Sequence, residues 1–434
     1  MERRTGFFAP HAYLDGRHVR SAYVEVDERG IIVRTGAEIP ADAPPHVVDL
    51  GRALLVPGFV DAHSHAFQRL IRGRTQRRGA HDPSSFWSWR TAMYDVAARL
   101  DPDAFEAAAT LVFREMAAAG ITCVGEFHYL HHGPDGTPYA DPNEMSLRAV
   151  AAARAVGIRI VMLEVYYARA GAGRPPEGAQ VRFCDGSVDA YLARIEALAD
   201  AGAAVGIAPH SVRAVGRADL ARLVSHARDR SLPLHIHLSE QPAENEACRA
   251  EHGTTPAGLL DELGAFDGCN TTCVHATFLD ADDVARLGRA RVCLCPTTEA
   301  DLGDGLPPAG PLLAAGTRFC FGSDSNAIVD LVQEARLAEM GERLRTNRRL
   351  CLAAKGRTVA ETLLDAATRE GAAALGLAGT TGRLAAGEAF DACVVDLDDP
   401  MFAEVPDDAL LDAWLLSGTA APVRATYVGG ERIH

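Results

Sequence analysis

Two His-x-His pairs, His63-Ser64-His65 and His235-Ile236-His237, close apolar runs of this chain, and their residue types are those of metal chemistry. On an extended strand residues i and i+2 point the same way, so both imidazoles of a pair can face one cation. The first run spans Leu54 to His65, and both of its histidines are predicted ligands. The second spans Leu232 to Ser239 and continues into Glu240; here His237, at the strand end, is the expected ligand. His235 sits one layer deeper and reads as a core histidine satisfied by a hydrogen bond.

Two more runs end in groups of the same kind, Thr272-Cys273-Val274-His275 and Phe319-Cys320-Phe321-Gly322-Ser323-Asp324. One His-x-His arises easily by chance, whereas imidazoles or carboxylates at four strand ends do not. His63, His65, His237 and Asp324 are therefore predicted to hold one divalent ion and leave it room for a water. Zinc is the preferred ion and ferrous iron the alternative. The run ending Ala208-Pro209-His210-Ser211 carries no lysine that could be carbamylated to bridge a second ion.

Such convergence needs a scaffold that gathers strand ends on one face. Strand-like runs ending near His65, Phe127, Tyr166, His210, Ser239, Thr277, Thr297 and Ser325 alternate with helical patterns, as parallel βα units do. Eight units predict an α/β fold, a closed (β/α)₈ TIM barrel whose site lies at the C-terminal ends of its strands. A representative helix follows Asp101-Pro102, carries Phe105, Ala109, Val112 and Met116 on one stripe, and stops at Gly120. The 434 residues exceed the roughly 250 of a bare barrel, so a second unit is expected. Short β-rich runs with turns at Asp15-Gly16, Arg29-Gly30 and Gly429-Gly430 place it at the two termini. The predicted division is a small β-sandwich-like domain from residues 1–55 and 386–434, around a metal-dependent barrel at 56–385.

Composition excludes several partners. A net charge of −15 disfavours nucleic acid and anionic membrane surfaces, each of which needs a basic face. No run is long and apolar enough for a spanning helix or a signal peptide, which predicts a cytoplasmic protein. Ten cysteines, several inside apolar runs, suit a reduced compartment without a disulfide framework. His128, His131 and His132 read as solvated loop residues, and Trp87 and Trp89 as loop packing. The polar segment Arg72 to Arg90 is the expected lid.

Pro57-Gly58-Phe59-Val60-Asp61-Ala62-His63-Ser64-His65, together with Ser323-Asp324-Ser325, resembles the amidohydrolase superfamily, over essentially the whole chain. Four segments are more narrowly similar to the N-formimidoylglutamate deiminases within it. They are His63-Ser64-His65-Ala66-Phe67-Gln68-Arg69, Phe86-Trp87-Ser88-Trp89-Arg90, Glu126-Phe127-His128-Tyr129 and Thr298-Glu299-Ala300-Asp301-Leu302-Gly303-Asp304-Gly305. The resemblance implies hydrolysis of N-formimidoyl-L-glutamate to N-formyl-L-glutamate and ammonia, a step of histidine degradation, by a homo-oligomer, expected to be a dimer.

It also implies a small-molecule dicarboxylate substrate in a pocket lined by Gln68, Arg90, Tyr129, His210 and Arg213. The two guanidinium forks would bind its carboxylates bidentately. Asp324 is then placed to take the water's proton, His275 to steady the tetrahedral centre and Glu240 to protonate the departing nitrogen. The chain departs from the family pattern at Asn326, where a histidine is expected, and at Thr297 and Asp301; these bear on substrate fit more than on chemistry. A nucleobase or nucleoside deaminase would share the metal site but would need amide and aromatic partners in place of two arginines. A non-catalytic barrel would have no use for Glu240 and His275.

Overall fold

The computed structural model describes residues 4–76 and 86–434, the side chains of residues 86 and 87 excepted. Residues 77–85 of the expected lid, and the side chain of Trp87, lie outside the described residues.

The terminal segments form one mixed eight-stranded sheet. Its N-terminal strands are β1 (Thr5–Leu14), β2 (Arg17–Val26), β3 (Ile32–Gly36), β4 (Val47–Asp49) and β5 (Ala53–Pro57). The Asp15-Gly16 turn joining β1 to β2 has positive φ at both residues, 47° and 76°, the geometry that lets a two-residue loop follow the strand twist. Phe7, Val24, Leu55, Phe390 and Tyr427 pack in the core of this sheet, with the Phe7 and Phe390 rings stacked at 4.3 Å.

The run expected as one strand from Leu54 to His65 is divided between two sheets. β5 belongs to the terminal sheet, and after Gly58 the chain continues as β6 (Phe59–Ser64), the first strand of the barrel. Glycine is required at the junction because a Cβ there would meet the Thr122 side chain at 2.3 Å.

The barrel continues through β7 (Ile121–His128), β8 (Arg159–Tyr166), β9 (Ala204–Pro209), β10 (Pro233–Leu238), β11 (Asn270–His275), β12 (Arg291–Leu294) and β13 (Arg318–Phe321). Neighbours pair in parallel from β6 to β13 in chain order. β14 (Ala392–Asp396), β15 (Val423–Val428) and β16 (Glu431–Arg432) return to the terminal sheet, β14 alongside β5. β6, β7 and β10 are buried along their whole length, as strands covered on both faces must be.

Helices fill the crossovers. Asp101 caps the helix Pro102–Ala118 by accepting from Ala104 N at 2.8 Å, and the stripe Phe105, Ala109, Val112 and Met116 is fully buried. Each large apolar side chain buried this way contributes about 1.5–3 kcal/mol. The last three barrel strands stop short of the expected Thr277, Thr297 and Ser325. The backbone turns left-handed at His275, Ala276 and Asp324, with φ of 71°, 54° and 48°, and Pro296 opens the helix Pro296–Leu302. No helix of the described residues is long and apolar enough to cross a membrane.

Candidate metal centre and its pocket

The barrel closes through the residues singled out for metal chemistry. Asp324 N donates to His63 O at 2.9 Å and His65 N donates to Asp324 O at 2.8 Å, so the seam between first and last strands fixes the backbone of three candidate ligands. Asn326 reinforces it, its Nδ2 donating to Ser64 Oγ, His65 O and Asp324 O, each at 3.1 Å. Beneath, fully buried Asp61 accepts from Ser323 N at 3.0 Å and Ser323 Oγ at 2.5 Å.

Ligand atoms of His63, His65, His237 and Asp324 all lie within 4.8 Å of one another, and all four side chains are buried. His63 Nε2 is 3.2 Å from His65 Nε2, and Asp324 Oδ1 is 3.6 and 3.2 Å from those two nitrogens. His65 Nδ1 bonds Phe127 O at 2.8 Å and His237 Nδ1 bonds His210 O at 2.9 Å. Those bonds fix each ring and leave its Nε2 as a lone-pair donor, the outer support that metal-binding histidines ordinarily have.

The electrostatics agree. Burial pushes His63 down to about 3 and His237 well below the usual imidazole range, so both are neutral at pH 7. Burial acts to raise Asp324, but the adjoining His63 and His65 imidazoles, with His275 beside them, outweigh it and hold the carboxyl well below its usual range. Neutral imidazoles around an ionised carboxylate form a donor set that fits a divalent cation.

His275 lies beside this cluster, with Nε2 3.6 Å from both Asp324 Oδ2 and Glu240 Oε1 and Nδ1 3.4 Å from Glu299 Oε1. Burial alone would lower its pKa, but Glu240, Glu299 and Asp324 outweigh it and lift the imidazole to about 10. Burial raises Glu240, with His275 opposing the shift. Asp304 is pushed up to about 8 by burial and by Glu240.

A cleft opens onto these groups. His65, Gln68, Arg90, Tyr129, His210, Arg213, His237, Glu240, His275 and Asp324 all line it, so residues from nearly the full length of the barrel meet there. His63 is fully buried and does not line it. Gln68 donates to Tyr129 Oη at 2.7 Å, while its Oε1, like Arg213 Nη1, is buried without a partner.

The family model described as "Amidohydrolase family" matches residues 54–433. The chain belongs to the amidohydrolase family. Membership makes it a metal-dependent hydrolase of carbon–nitrogen bonds. A formimidoylglutamate deiminase from Pseudomonas aeruginosa is 40% identical to this amidohydrolase, over 98% of this chain and 94% of that one. A 5-methylthioadenosine/S-adenosylhomocysteine deaminase from Natronomonas pharaonis is 29% identical over 96% and 89%. Among solved structures, an amidohydrolase from Brucella melitensis matches with a TM-score of 0.84 at 33% identity, covering 99% of this chain and 94% of that one. A zinc-bound adenosine deaminase from Xanthomonas campestris matches with 0.81 at 25% identity, covering 99% and 92%.

Several side chains of this amidohydrolase lie elsewhere than their local sequence suggests. His128, His131 and His132 are buried, not solvated. Arg194, from the helix Val188–Asp200, binds Glu164 and Asp185 among them, and this distant cation makes their burial possible. Trp89 is helical, in Phe86–Ala97, and lines the cleft. Tyr94, Tyr167 and Phe183 also line it and carried no motif; for Tyr94 the available signal was its place one helical turn after Arg90. Glu299, within the segment Thr298 to Gly305, is the Nδ1 partner of His275.

The second histidine pair divides between two tasks, since His235 Nε2 bonds Ala374 O at 3.0 Å on the side away from the cleft. Of the three departures from the family pattern, Asn326 stitches the seam and Thr297 bonds Glu334, while Asp301 meets Gln76 at 2.6 Å. None of them lines the cleft. The cysteines are all free thiols.

Proposed function

We propose that this enzyme hydrolyses N-formimidoyl-L-glutamate to N-formyl-L-glutamate and ammonia, with one ion, zinc, held by His63, His65, His237 and Asp324. The observation that carries the substrate is the presence of two guanidinium groups, Arg90 and Arg213, in the cleft that contains the candidate ligands. Two guanidinium forks facing one cleft suit a ligand that carries two carboxylates, and they set a local positive field against the net charge of −15. The similarity to the Pseudomonas deiminase supports the same substrate, and the zinc-bound Xanthomonas structure supports the metal. Work in the cytoplasm as a homo-oligomer belongs to the same reading.

A divalent ion in this donor set supplies Lewis acidity and makes hydroxide accessible near neutral pH. The chain's own groups do the rest. Arg90 and Arg213 grip the two carboxylates, with Gln68, Tyr129 and His210 completing the pocket, so that the formimino carbon faces Asp324. Asp324, ionised, takes the proton from the attacking water. His275, held protonated by its carboxylate neighbours, stabilises charge developing on the tetrahedral carbon's substituents. Glu240, raised by burial, carries a proton to the terminal nitrogen, which leaves as ammonia while the C=O bond forms. Each proton-transfer group contributes about 10²- to 10⁴-fold.

Ammonia release by the zinc-loaded enzyme should be confined to N-formimidoyl-L-glutamate in a panel that includes guanine, cytosine, adenosine and 5-methylthioadenosine. Turnover of a base or nucleoside alone would sink the proposal.

A further inference from the structure

The two arginines reach the cleft from different parts of the fold, Arg90 from the helix Phe86–Ala97 and Arg213 from the loop after β9. One buried side chain joins the two sides. Gln180, on the 3₁₀ turn Gly178–Phe183, donates from Nε2 to Tyr94 Oη and to Tyr167 Oη, both at 3.0 Å. Tyr94 Oη accepts from Arg90 Nε at 2.7 Å, and the guanidinium lies 5.0 Å over its ring. Tyr167 and Arg213 line the same cleft from loops joined next to both residues, where Ala168 N and Arg169 N each donate to Ala214 O at 3.1 Å.

The amide orientation is settled by its third contact. Gln180 Oε1 accepts from Glu177 N at 2.9 Å, so the oxygen is committed to backbone and both N–H groups go to hydroxyls. The turn is itself anchored by buried Arg182, which donates to His132 O and Leu100 O, each at 2.8 Å, and to Ala97 O at the end of the helix that carries Arg90. Phe183, three residues on and so on the same side of a 3₁₀ turn, packs against Tyr129 at 4.9 Å and Tyr167 at 5.7 Å between ring centroids.

We propose that Gln180 is a positioning residue that sets the separation of Arg90 and Arg213, and thereby the spacing between carboxylates that the enzyme accepts. The inference rests on reading the cleft as a dicarboxylate pocket. Gln180 does not line the cleft, so replacing it leaves the lining groups in place and removes only the strut between them. Without the shared donor, both tyrosines and the long Arg90 stem regain rotamers, and binding at two points loses its preorganisation.

The test is calorimetry on zinc-loaded enzyme with N-formyl-L-glutamate, N-formyl-L-aspartate and 4-formamidobutanoate, which lacks the α-carboxylate, paired with steady-state kinetics on N-formimidoyl-L-glutamate. Wild type is expected to bind the glutamate compound about 10-fold or more tighter than the aspartate compound. Gln180→Leu should weaken N-formyl-L-glutamate by about 10- to 30-fold, abolish its preference over the aspartate homologue, and change 4-formamidobutanoate by less than about 3-fold. KM should rise while kcat stays within about 3-fold. Gln180→Asn, one methylene too short to reach both hydroxyls, should behave like Gln180→Leu. Gln180→Glu, to which both hydroxyls can donate, should restore the preference.

A folded Gln180→Leu or Gln180→Asn that keeps the wild-type preference overturns the inference, as does equal weakening of all three ligands together with kcat. Wild type that binds the three ligands alike overturns instead the dicarboxylate reading.

Discussion

Two clusters of buried histidines and carboxylates lie within this barrel, and they have opposite fates. At the seam, His63, His65, His237 and Asp324 bring their ligand atoms within 4.8 Å, with the outer nitrogens of His65 and His237 tied to carbonyls and the cleft open beside them. At and beyond the end of β7, His128, His131 and His132 gather with Glu164 and Asp185 around the Arg194 guanidinium. The residue types are the same, but in the second cluster an arginine already fills the cation's place. Buried carboxylates need a positive partner, and whether that partner is a side chain or an ion decides between structure and chemistry.

Putting a neutral amide at the seam should give the largest effect. Asp324→Asn removes a ligand and the proposed proton acceptor together, and kcat/KM should fall by about 10⁴-fold or more, with bound metal lost by elemental analysis. Retained stoichiometric metal with full activity would refute the assignment. In the other cluster the expected loss is of stability. Arg194→Met leaves Glu164 and Asp185 without their cation and should cost about 3–5 kcal/mol in denaturant melts, with the metal content of the folded fraction unchanged.

Acid should separate the clusters next. Burial holds His128 down at about 4 and His131 well below its usual range, with Glu164 pulling both upward and Arg194 pushing both downward. Each therefore binds fewer protons folded than unfolded, so folding stability falls as pH drops below the unfolded value near 6.5. The slope is about 1.4 kcal/mol per pH unit per histidine while the folded form stays neutral. Metal-free His128→Gln should show a shallower acid limb between about pH 6.5 and 4 in melts across that range; an unchanged slope would show that His128 is not held neutral. The smallest effect should come from the other half of the second histidine pair. His235→Asn weakens the bond to Ala374 O and should cost about 1–3 kcal/mol of stability, leaving metal content and kcat as in wild type.

The candidate ligands could be read from the chain because strand periodicity is local: two residues apart on a strand means one face, and an apolar run bounded by turn residues marks where the strand ends. The division at Gly58 could not, since apolar residues continue on both sides of Pro57-Gly58 and the contact with Thr122 that requires glycine there comes from elsewhere in the chain. The burial of His128, His131 and His132 was equally hidden, because Arg194 lies 63 residues from His131. Gln180, Tyr167 and Phe183 carry no periodic signal, as they stand on a short turn and a loop.

The amino-acid sequence alone determined the repeating βα rhythm, the two β-rich ends and the residue types at the strand ends, since each depends on neighbours within a few positions. The tertiary structure decided which imidazole of the first pair lines the cleft, which buried carboxylates meet an arginine, and how far apart the two guanidinium forks stand. Those outcomes depend on distances between segments tens to hundreds of residues apart, and such distances exist only once the barrel has closed.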